Sequence, residues 1–263
     1  MSEASYLPLG GGRYRSTQHT EGPWDPRLQH AGPPSALLAR AIEQEPGPWP
    51  SVLSRVSVEI LGPIPVADLT VTAQVLRSGR SVELVQAELV VEGRAAARAN
   101  GWRIRRAELD LPPLPPEHAD PTHDTVPPFP DTDTPLPPGW RCGYLDSMQW
   151  RTAGGSWGDP GPATMWGRMR QPLVAGEEPT GVQRVLTIAD SGNGVSSVLP
   201  ADRWFFINTD LTVHFAAEPT GEWVCLDAHT RIDPAGFGLA ASRLFDRDRL
   251  VARGAQALYV GPR

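Results

Sequence analysis

The sequence contains no lysine, and all 24 of its basic residues are arginine, a composition typical of a high-GC genome. The absence excludes mechanisms that need a lysine Schiff base, including lysine-anchored pyridoxal phosphate chemistry and class I aldolase chemistry. It also excludes a phosphate-binding loop that ends in a Gly-Lys pair followed by Ser or Thr.

Cysteine and long apolar runs are also scarce. Two cysteines, Cys142 and Cys225, are too few for a zinc site or a disulfide framework, and no His/Cys cluster is visible, so we expect no metal. The apolar runs are short and the first residues do not form a secretory signal, so we expect a cytoplasmic protein without a membrane span. The net charge of −6 argues against non-specific nucleic-acid binding.

Proline is concentrated in one stretch that divides the chain. The segment from Pro112 to Pro138 is rich in proline, aspartate and threonine, and proline cannot continue a helix or a central strand. We therefore predict an N-terminal domain over residues 1–110, an extended linker over 111–139 and a C-terminal domain over 140–263.

Each half contains four segments with the alternating pattern of half-buried strands. In the first half they are Leu53–Pro65, Leu69–Gly79, Ser81–Gly93 and Arg94–Arg105. In the second half they are Asn208–Gly221, Glu222–Ile232, Phe237–Asp246 and Arg249–Val260. The same order occurs twice, about 155 residues apart, which suggests duplication of one domain.

A helix candidate precedes each set of strands. Residues His30–Glu45 carry Pro33 and Pro34 in the first turn, where a missing N–H is tolerated, and residues Arg184–Pro200 form a second, less regular candidate. The sequence therefore predicts an α+β protein in which an antiparallel sheet covers long helices.

The ordered motifs resemble those of the double-hotdog acyl-CoA thioesterases, the type II family and its actinobacterial relatives. The motifs are HAGPPSALLARAIE, RVSVEILGPIP, IADSGNG, NTDLTVHFAAEPTGEWVCLDAHTR and RLVARGAQALYV. The resemblance implies a tandem (double) hotdog fold, hydrolysis of acyl-CoA thioesters to free acid and CoA, and no cofactor. It also implies acyl-CoA as the binding partner, and it leaves open either a homo-oligomer of double-hotdog protomers or a single pair of halves that is complete alone.

The resemblance also implies a set of catalytic residues. In the family an Asp, a Gln and a Thr position a water, and the matching residues here are Asp190, Gln256 and either Asn208 or Thr209. A carboxylate can polarise or deprotonate a water within hydrogen-bond reach. Neighbours on a strand face opposite sides, so only one of Asn208 and Thr209 can point into the site, and we favour Asn208.

Two further groups are candidates for substrate binding. Gly192, Asn193 and Gly194 follow the candidate carboxylate, and backbone N–H groups at a helix start are suitable donors to the thioester oxygen. His30 and Gly32 occupy the corresponding start of the first helix, although for His30 we favour a structural role over one in lining a pocket.

Each candidate also has a structural interpretation. Asp190 is a good residue for capping a following helix, Gln256 suits an exposed edge strand, and Asn208 suits a turn before a strand. A group of three tryptophans is expected to pack the junction between the halves or to form the wall of an acyl tunnel; these are Trp150, Trp157 and Trp166.

Two other functions remain open. A protein of the same fold that binds acyl ligands without turnover would explain the asparagine at the family's threonine position. A hotdog hydratase or dehydratase is the other alternative, although the histidine-containing pattern expected of those enzymes is not evident.

Overall fold

A computed structural model describes residues 4–113, 125–136 and 140–263. Within these ranges the chain forms thirteen strands in one sheet, together with four α-helices. Residues 114–124 and 137–139 of the predicted linker lie outside the described residues. None of the helices in the described ranges is both long enough and apolar enough to cross a membrane.

The first half has the four predicted strands and two more. Its elements are β1 (Tyr6–Gly10), β2 (Arg13–Ser16), α1 (Gly32–Gln44), β3 (Ser51–Ile60), β4 (Asp68–Arg77), β5 (Val82–Val91) and β6 (Arg94–Arg105). The hairpin of β1 and β2 was not predicted. It turns through three consecutive glycines with positive φ, Gly10 to Gly12.

The second half repeats this arrangement with additional short elements. The elements of this half are α2 (Gly143–Asp146), β7 (Met148–Gly154), β8 (Ala163–Met169), α3 (Gly181–Ala189), α4 (Gly192–Val195), β9 (Trp204–Asn208), β10 (Asp210–Phe215), β11 (Val224–Asp233), β12 (Phe237–Phe245) and β13 (Leu250–Pro262). The first predicted strand of this half, Asn208–Gly221, is wrong as one element, because the chain leaves β9 after Asn208 and resumes in β10 at Asp210.

The two halves join edge to edge through β3 and β10. The strand order is β1-β2-β4-β5-β6-β3-β10-β13-β12-β11-β8-β7, with β9 paired to β13. At the junction Ser57 lies opposite Thr212, 155 residues later, and the Thr212 hydroxyl donates to that of Ser57 at 3.0 Å. Because Ser57 also pairs with Asn100, and Thr212 with Ala255, the same spacing relates both halves.

Helices α1 and α3 lie against the sheet and pack on each other. Helix α1 begins with the proline pair as predicted, and Ala36, Leu37 and Leu38 on it are fully buried. Nonpolar burial of this kind stabilises the packed layers by ~25 cal/mol per Å² removed from water.

The second predicted helix is wrong in its bounds. Helix α3 begins at Gly181, three residues before the predicted start, because the Thr180 hydroxyl accepts from the N–H of Gln183 and caps it. The helix ends at Ala189, and only the single turn of α4 follows. The two intervening residues, Asp190 and Ser191, have low helix propensity and favour this break.

The predicted place of two of the three tryptophans is also corrected. Trp150 on β7 and Trp166 on β8 lie at the far edge of the sheet, away from the β3–β10 junction. Trp166 packs beneath Phe129, an edge-to-face contact with ring centroids 5.1 Å apart. At the β3–β10 junction the paired residues are aliphatic or polar instead, because two strand edges meet there directly.

Candidate active site

Asp190 lies at the carboxyl end of α3 with only 3% of its surface exposed. Its Oδ1 accepts a hydrogen bond from the Asn208 side-chain amide at 2.8 Å and another from Gln256 Nε2 at 3.3 Å. The same Gln256 nitrogen lies 3.1 Å from the main-chain oxygen of Asp190. These donors offset the cost of burying the carboxylate.

Gln256 is held from both ends of its amide. It lies on β13 between two neighbouring strands and is 2% exposed, so its interpretation as an exposed edge residue is wrong. Its Oε1 accepts from the N–H of Asn193 at 3.2 Å. A Cβ on Gly192 would come within 2.9 Å of the same oxygen, so the absence of a side chain there permits the contact.

The end of β9 separates Asn208 from Thr209. The Asn208 amide points to Asp190, whereas the Thr209 hydroxyl is exposed and lies 3.4 Å from the main-chain oxygen of Ala257. The structure therefore places Asn208 in the Asp190 cluster and the Thr209 hydroxyl outside it. The capping interpretation of Asp190 is also wrong, because Ser191 occupies the N-cap position of α4.

His30 reaches the same carboxylate from the first half of the chain. Its Nδ1 lies 3.0 Å from Asp190 Oδ2. Its ring stacks on Tyr144 with centroids 3.8 Å apart and an interplanar angle of 10°. The N–H of Gly32 lies 3.1 Å from the same Nδ1.

The phenol beneath His30 is fixed in turn by α3. The Tyr144 hydroxyl lies 2.8 Å from the main-chain oxygen of Thr187, to which it donates, and 2.9 Å from the Ser191 hydroxyl. Burial raises the pKa of Tyr144 well above its ordinary range, so the ring remains a neutral phenol. His30 is therefore held by an uncharged aromatic surface on one face and by a carboxylate at its edge.

An apolar cavity of about 300 Å³ opens onto this cluster. Its apolar wall includes Trp24, Leu28, Ile64, Trp140, Trp157 and Phe206. Its polar wall includes His30, Asp190, Asn193 and Asn208, and Gly194 and Thr209 also contribute.

Two of the proposed substrate-binding residues lie behind the wall. Gly192 faces Gln256, and Gly32 packs on α3, where a Cβ would meet the Thr187 carbonyl oxygen at 2.3 Å. Both glycines permit close packing, and neither lines the cavity. The N–H of Asn193, one of the expected donors to a substrate oxygen, is already bonded to Gln256.

Neither cysteine is a suitable nucleophile. Burial raises the pKa of Cys142 to about 11, and burial also raises the pKa of Cys225. Both thiols therefore stay protonated near neutral pH. Within the described ranges, no group of three or more His, Cys, Asp or Glu side chains is placed to hold a metal ion.

Sequence reasoning did not identify Tyr144 or Ser191, nor the contact between His30 and Asp190. The segment around Tyr144 carries no motif, and its role depends on the packing of α2 against the loop before α1, where His30 lies. No local pattern could have indicated it.

Several solved structures share this architecture. A hot dog fold protein of unknown function from Alicyclobacillus acidocaldarius has a TM-score of 0.69 at 17% identity, covering 98% of this chain and 96% of that chain. The tesB protein of Mycobacterium avium subsp. paratuberculosis has a TM-score of 0.67 at 17% identity, covering 98% and 96%. An acyl-CoA thioesterase II from Mycobacterium marinum has a TM-score of 0.65 at 16% identity, covering 98% and 95%. These similarities confirm the predicted tandem hotdog fold.

Two protein-family models also match the chain. The acyl-CoA thioesterase N-terminal domain matches residues 20–104, and the acyl-CoA thioesterase C-terminal domain matches residues 116–260. The chain belongs to the acyl-CoA thioesterase family, as the sequence motifs suggested. No curated protein matches the chain.

Proposed function

We propose that the protein hydrolyses acyl-CoA thioesters to a free acid and CoA, using a water activated beside Asp190 and no cofactor. The observation that carries the proposal is a buried carboxylate, held by the amides of Asn208 and Gln256, at the wall of an apolar cavity. Membership of the acyl-CoA thioesterase family supports the same activity.

The amides of Asn208 and Gln256 serve the carboxylate rather than the water. Both donate to Oδ1 of Asp190, so this oxygen is fixed in position, and Oδ2 faces the His30 ring. A carboxylate fixed in this way orients the neighbouring groups without reorganising during the reaction. Asn208 supplies the donor expected from a threonine in the family, so the substitution is compatible with catalysis.

The cavity fits the acyl end of the substrate. Its aromatic wall excludes water from the thioester and suits a hydrocarbon chain. The cavity of about 300 Å³ is at the small end of the range for sites that bind small molecules, roughly 300–1,000 Å³. We therefore infer a preference for acyl groups of short to medium length over palmitoyl-CoA.

Thiol release from acyl-CoAs of two to sixteen carbons tests the proposal. We expect the wild type to release CoA, with a maximum below the longest chains, and Asp190→Asn to lower kcat by about 10²- to 10⁴-fold. His214→Asn is the matched control, since His214 lies exposed on β10.

Three results would contradict the proposal. Equal rates for the wild type and Asp190→Asn would remove Asp190 from the mechanism. Saturable acyl-CoA binding without thiol release would indicate a binding protein instead. Loss of enoyl-CoA absorbance without thiol release would indicate a hydratase.

A further inference from the structure

The Asp190 carboxylate has little capacity left for a water molecule. Its Oδ1 already accepts from two amides, those of Asn208 and Gln256, and its Oδ2 lies 3.0 Å from His30 Nδ1. The residue is 3% exposed, whereas the His30 side chain is 12% exposed. A water in the cavity can therefore reach the His30 imidazole more easily than the Asp190 carboxylate.

The position of Asp190 determines which nitrogen of His30 carries the proton. Nδ1 lies beside both Asp190 Oδ2 and the N–H of Gly32, and it cannot donate to one and accept from the other at once. A lone pair directed at an ionised carboxylate would be repelled, so Nδ1 carries the proton and donates to Oδ2. The lone pair of the neutral ring is then on Nε2.

Nε2 is available to a ligand in the cavity. It has no hydrogen-bond partner among the described residues. It is also not one of the fully buried, unpartnered side-chain atoms of that part of the chain, so solvent reaches it. His30 lines the cavity together with Asp190 and Asn208.

We propose that His30 is the general base of the reaction, with Nε2 taking the proton from water while Asp190 holds Nδ1–H and stabilises the imidazolium. The inference rests on the proposed thioester hydrolysis and changes the role of Asp190 within it. Asp190 is then a positioning residue, and the Tyr144 ring fixes the plane of the imidazole.

The reaction balances without a further reactant. The water oxygen bonds to the thioester carbonyl carbon as Nε2 removes one of its protons. The tetrahedral intermediate then collapses, the carbon–sulfur bond breaks with its electron pair on sulfur, and Nε2–H returns the proton to that sulfur. The products are one carboxylic acid and one CoA thiol, and the imidazole is neutral again.

The titratable groups around His30 come from three other segments. Asp190 faces it from the end of α3, Tyr144 lies on its ring face from α2, and Asp25 of the preceding loop lines the same cavity. Tyr144 stays neutral because burial raises its pKa, and Asp25 is paired with Arg27 at 2.6 Å. Loss of activity on acidification would thus report on the His30–Asp190 pair.

Two substitutions separate the base from its positioning contact. His30→Asn offers an amide near Nδ1 that can still donate to Asp190 but has nothing in place of Nε2. His30→Ala leaves room for added imidazole. We expect each to lower kcat by about 10²- to 10⁴-fold with KM changed by less than tenfold.

Chemical rescue and the pH profile provide readouts that a structural role would not change. Imidazole should restore activity to His30→Ala in proportion to its free-base concentration, and it should not rescue Asp190→Asn. The acidic limb of the wild-type kcat/KM profile should be absent from His30→Asn. His214→Asn is the control in both measurements.

Two controls separate a misfolded variant from one that has lost only its chemistry. Thermal unfolding and binding of a non-hydrolysable acyl-CoA thioether verify that each variant is folded, and His30→Gln replaces any variant that is not. Wild-type kcat and pH profile in a folded His30→Asn, or no imidazole rescue of His30→Ala, would overturn the role of His30. A wild type that releases no thiol would instead overturn the proposed function.

Discussion

The two halves share a backbone framework, but at one equivalent contact between strand and helix the large and small residues are exchanged. In the first half a Cβ on Gly101 of β6 would lie 2.9 Å from Ile42 of α1, so a small strand residue faces a large helix residue. In the second half Gln256 of β13, 155 positions after Gly101, faces Gly192 of α4. The exchange gives an apolar contact in the first half and a polar cluster in the second.

The neighbouring strand shows the same contrast. Leu53 of β3 pairs with Arg103 of β6, and Asn208 of β9 pairs with Leu258 of β13, each residue displaced by 155 positions. Both halves also have an irregularity at the next residue, a register shift at Ser54 and the strand break after Asn208. This backbone deviation is therefore shared, and at this place the two halves differ in their side chains.

The comparison predicts its largest effect at the Leu53/Asn208 pair. Asn208→Leu removes a hydrogen bond to a buried carboxylate, worth ~1.5–3 kcal/mol, so kcat/KM should fall by roughly ten- to a hundredfold. Leu53→Asn is the matched variant, and it should lower the free energy of unfolding by about 1–3 kcal/mol with little change in kcat. Equal losses of kcat in both variants would mean that the halves are not functionally distinct.

Substitutions of Gly101 and Gly192 should have smaller effects that also distinguish the two halves. Gly101→Ala adds a methyl group to a packed core and should cost about 1–3 kcal/mol of unfolding free energy. Gly192→Ala pushes the Gln256 amide from Asp190, so we expect roughly a tenfold loss of kcat, about 1.4 kcal/mol in activation free energy. Urea denaturation and steady-state kinetics on both variants would reveal whether stability and activity separate in this way.

The smallest predicted effect is on stability, and it comes from the different hydrogen bonds at the starts of α1 and α3. Helix α1 begins with no side-chain cap, whereas α3 begins with Thr180 and with Glu43 of α1, which accepts from Gln183 at 2.7 Å and from the Thr180 hydroxyl at 3.0 Å. Burial raises the pKa of Glu43, although these hydrogen bonds oppose the shift. The folded state therefore binds this proton more tightly than the unfolded state.

This difference in proton affinity determines how the stability contributed by Glu43 changes with pH. The Glu43 contribution to unfolding free energy is full below the unfolded-state pKa of about 4.3, and is lost as pH rises through the higher folded-state value. Glu43→Gln should remove this component, worth about 1.4 kcal/mol per pKa unit. Thermal unfolding of both proteins from pH 4 to pH 7 checks it, and parallel curves would refute the assignment.

The sequence predicted the repeated strands because alternation is a local property of β3 to β6 and of β11 to β13. It missed β1, which contains Pro8, and β7, whose glycine and tryptophan residues do not alternate clearly. It placed the start of the second helix too late because the Thr180 cap is followed by a glycine, a weak helix former.

The candidate site was only partly predictable for a different reason. Asp190, Asn208 and Gln256 were found through family motifs, and the structure brings their side chains within hydrogen-bonding distance. The contact of His30 with Asp190 depends on how α1 and α3 pack, which no local pattern encodes. Single glycines such as Gly32 and Gly192 likewise show their packing role only in three dimensions.

The shared seam between β3 and β10 has a consequence for how such a molecule can change. In a dimer of identical chains every substitution occurs at both copies of a position, so a carboxylate gained on one side is imposed on the other. Here Ser57 and Thr212 meet as counterparts encoded separately. Each half can therefore change its side chains independently, as Leu53 in one half and Asn208 in the other illustrate.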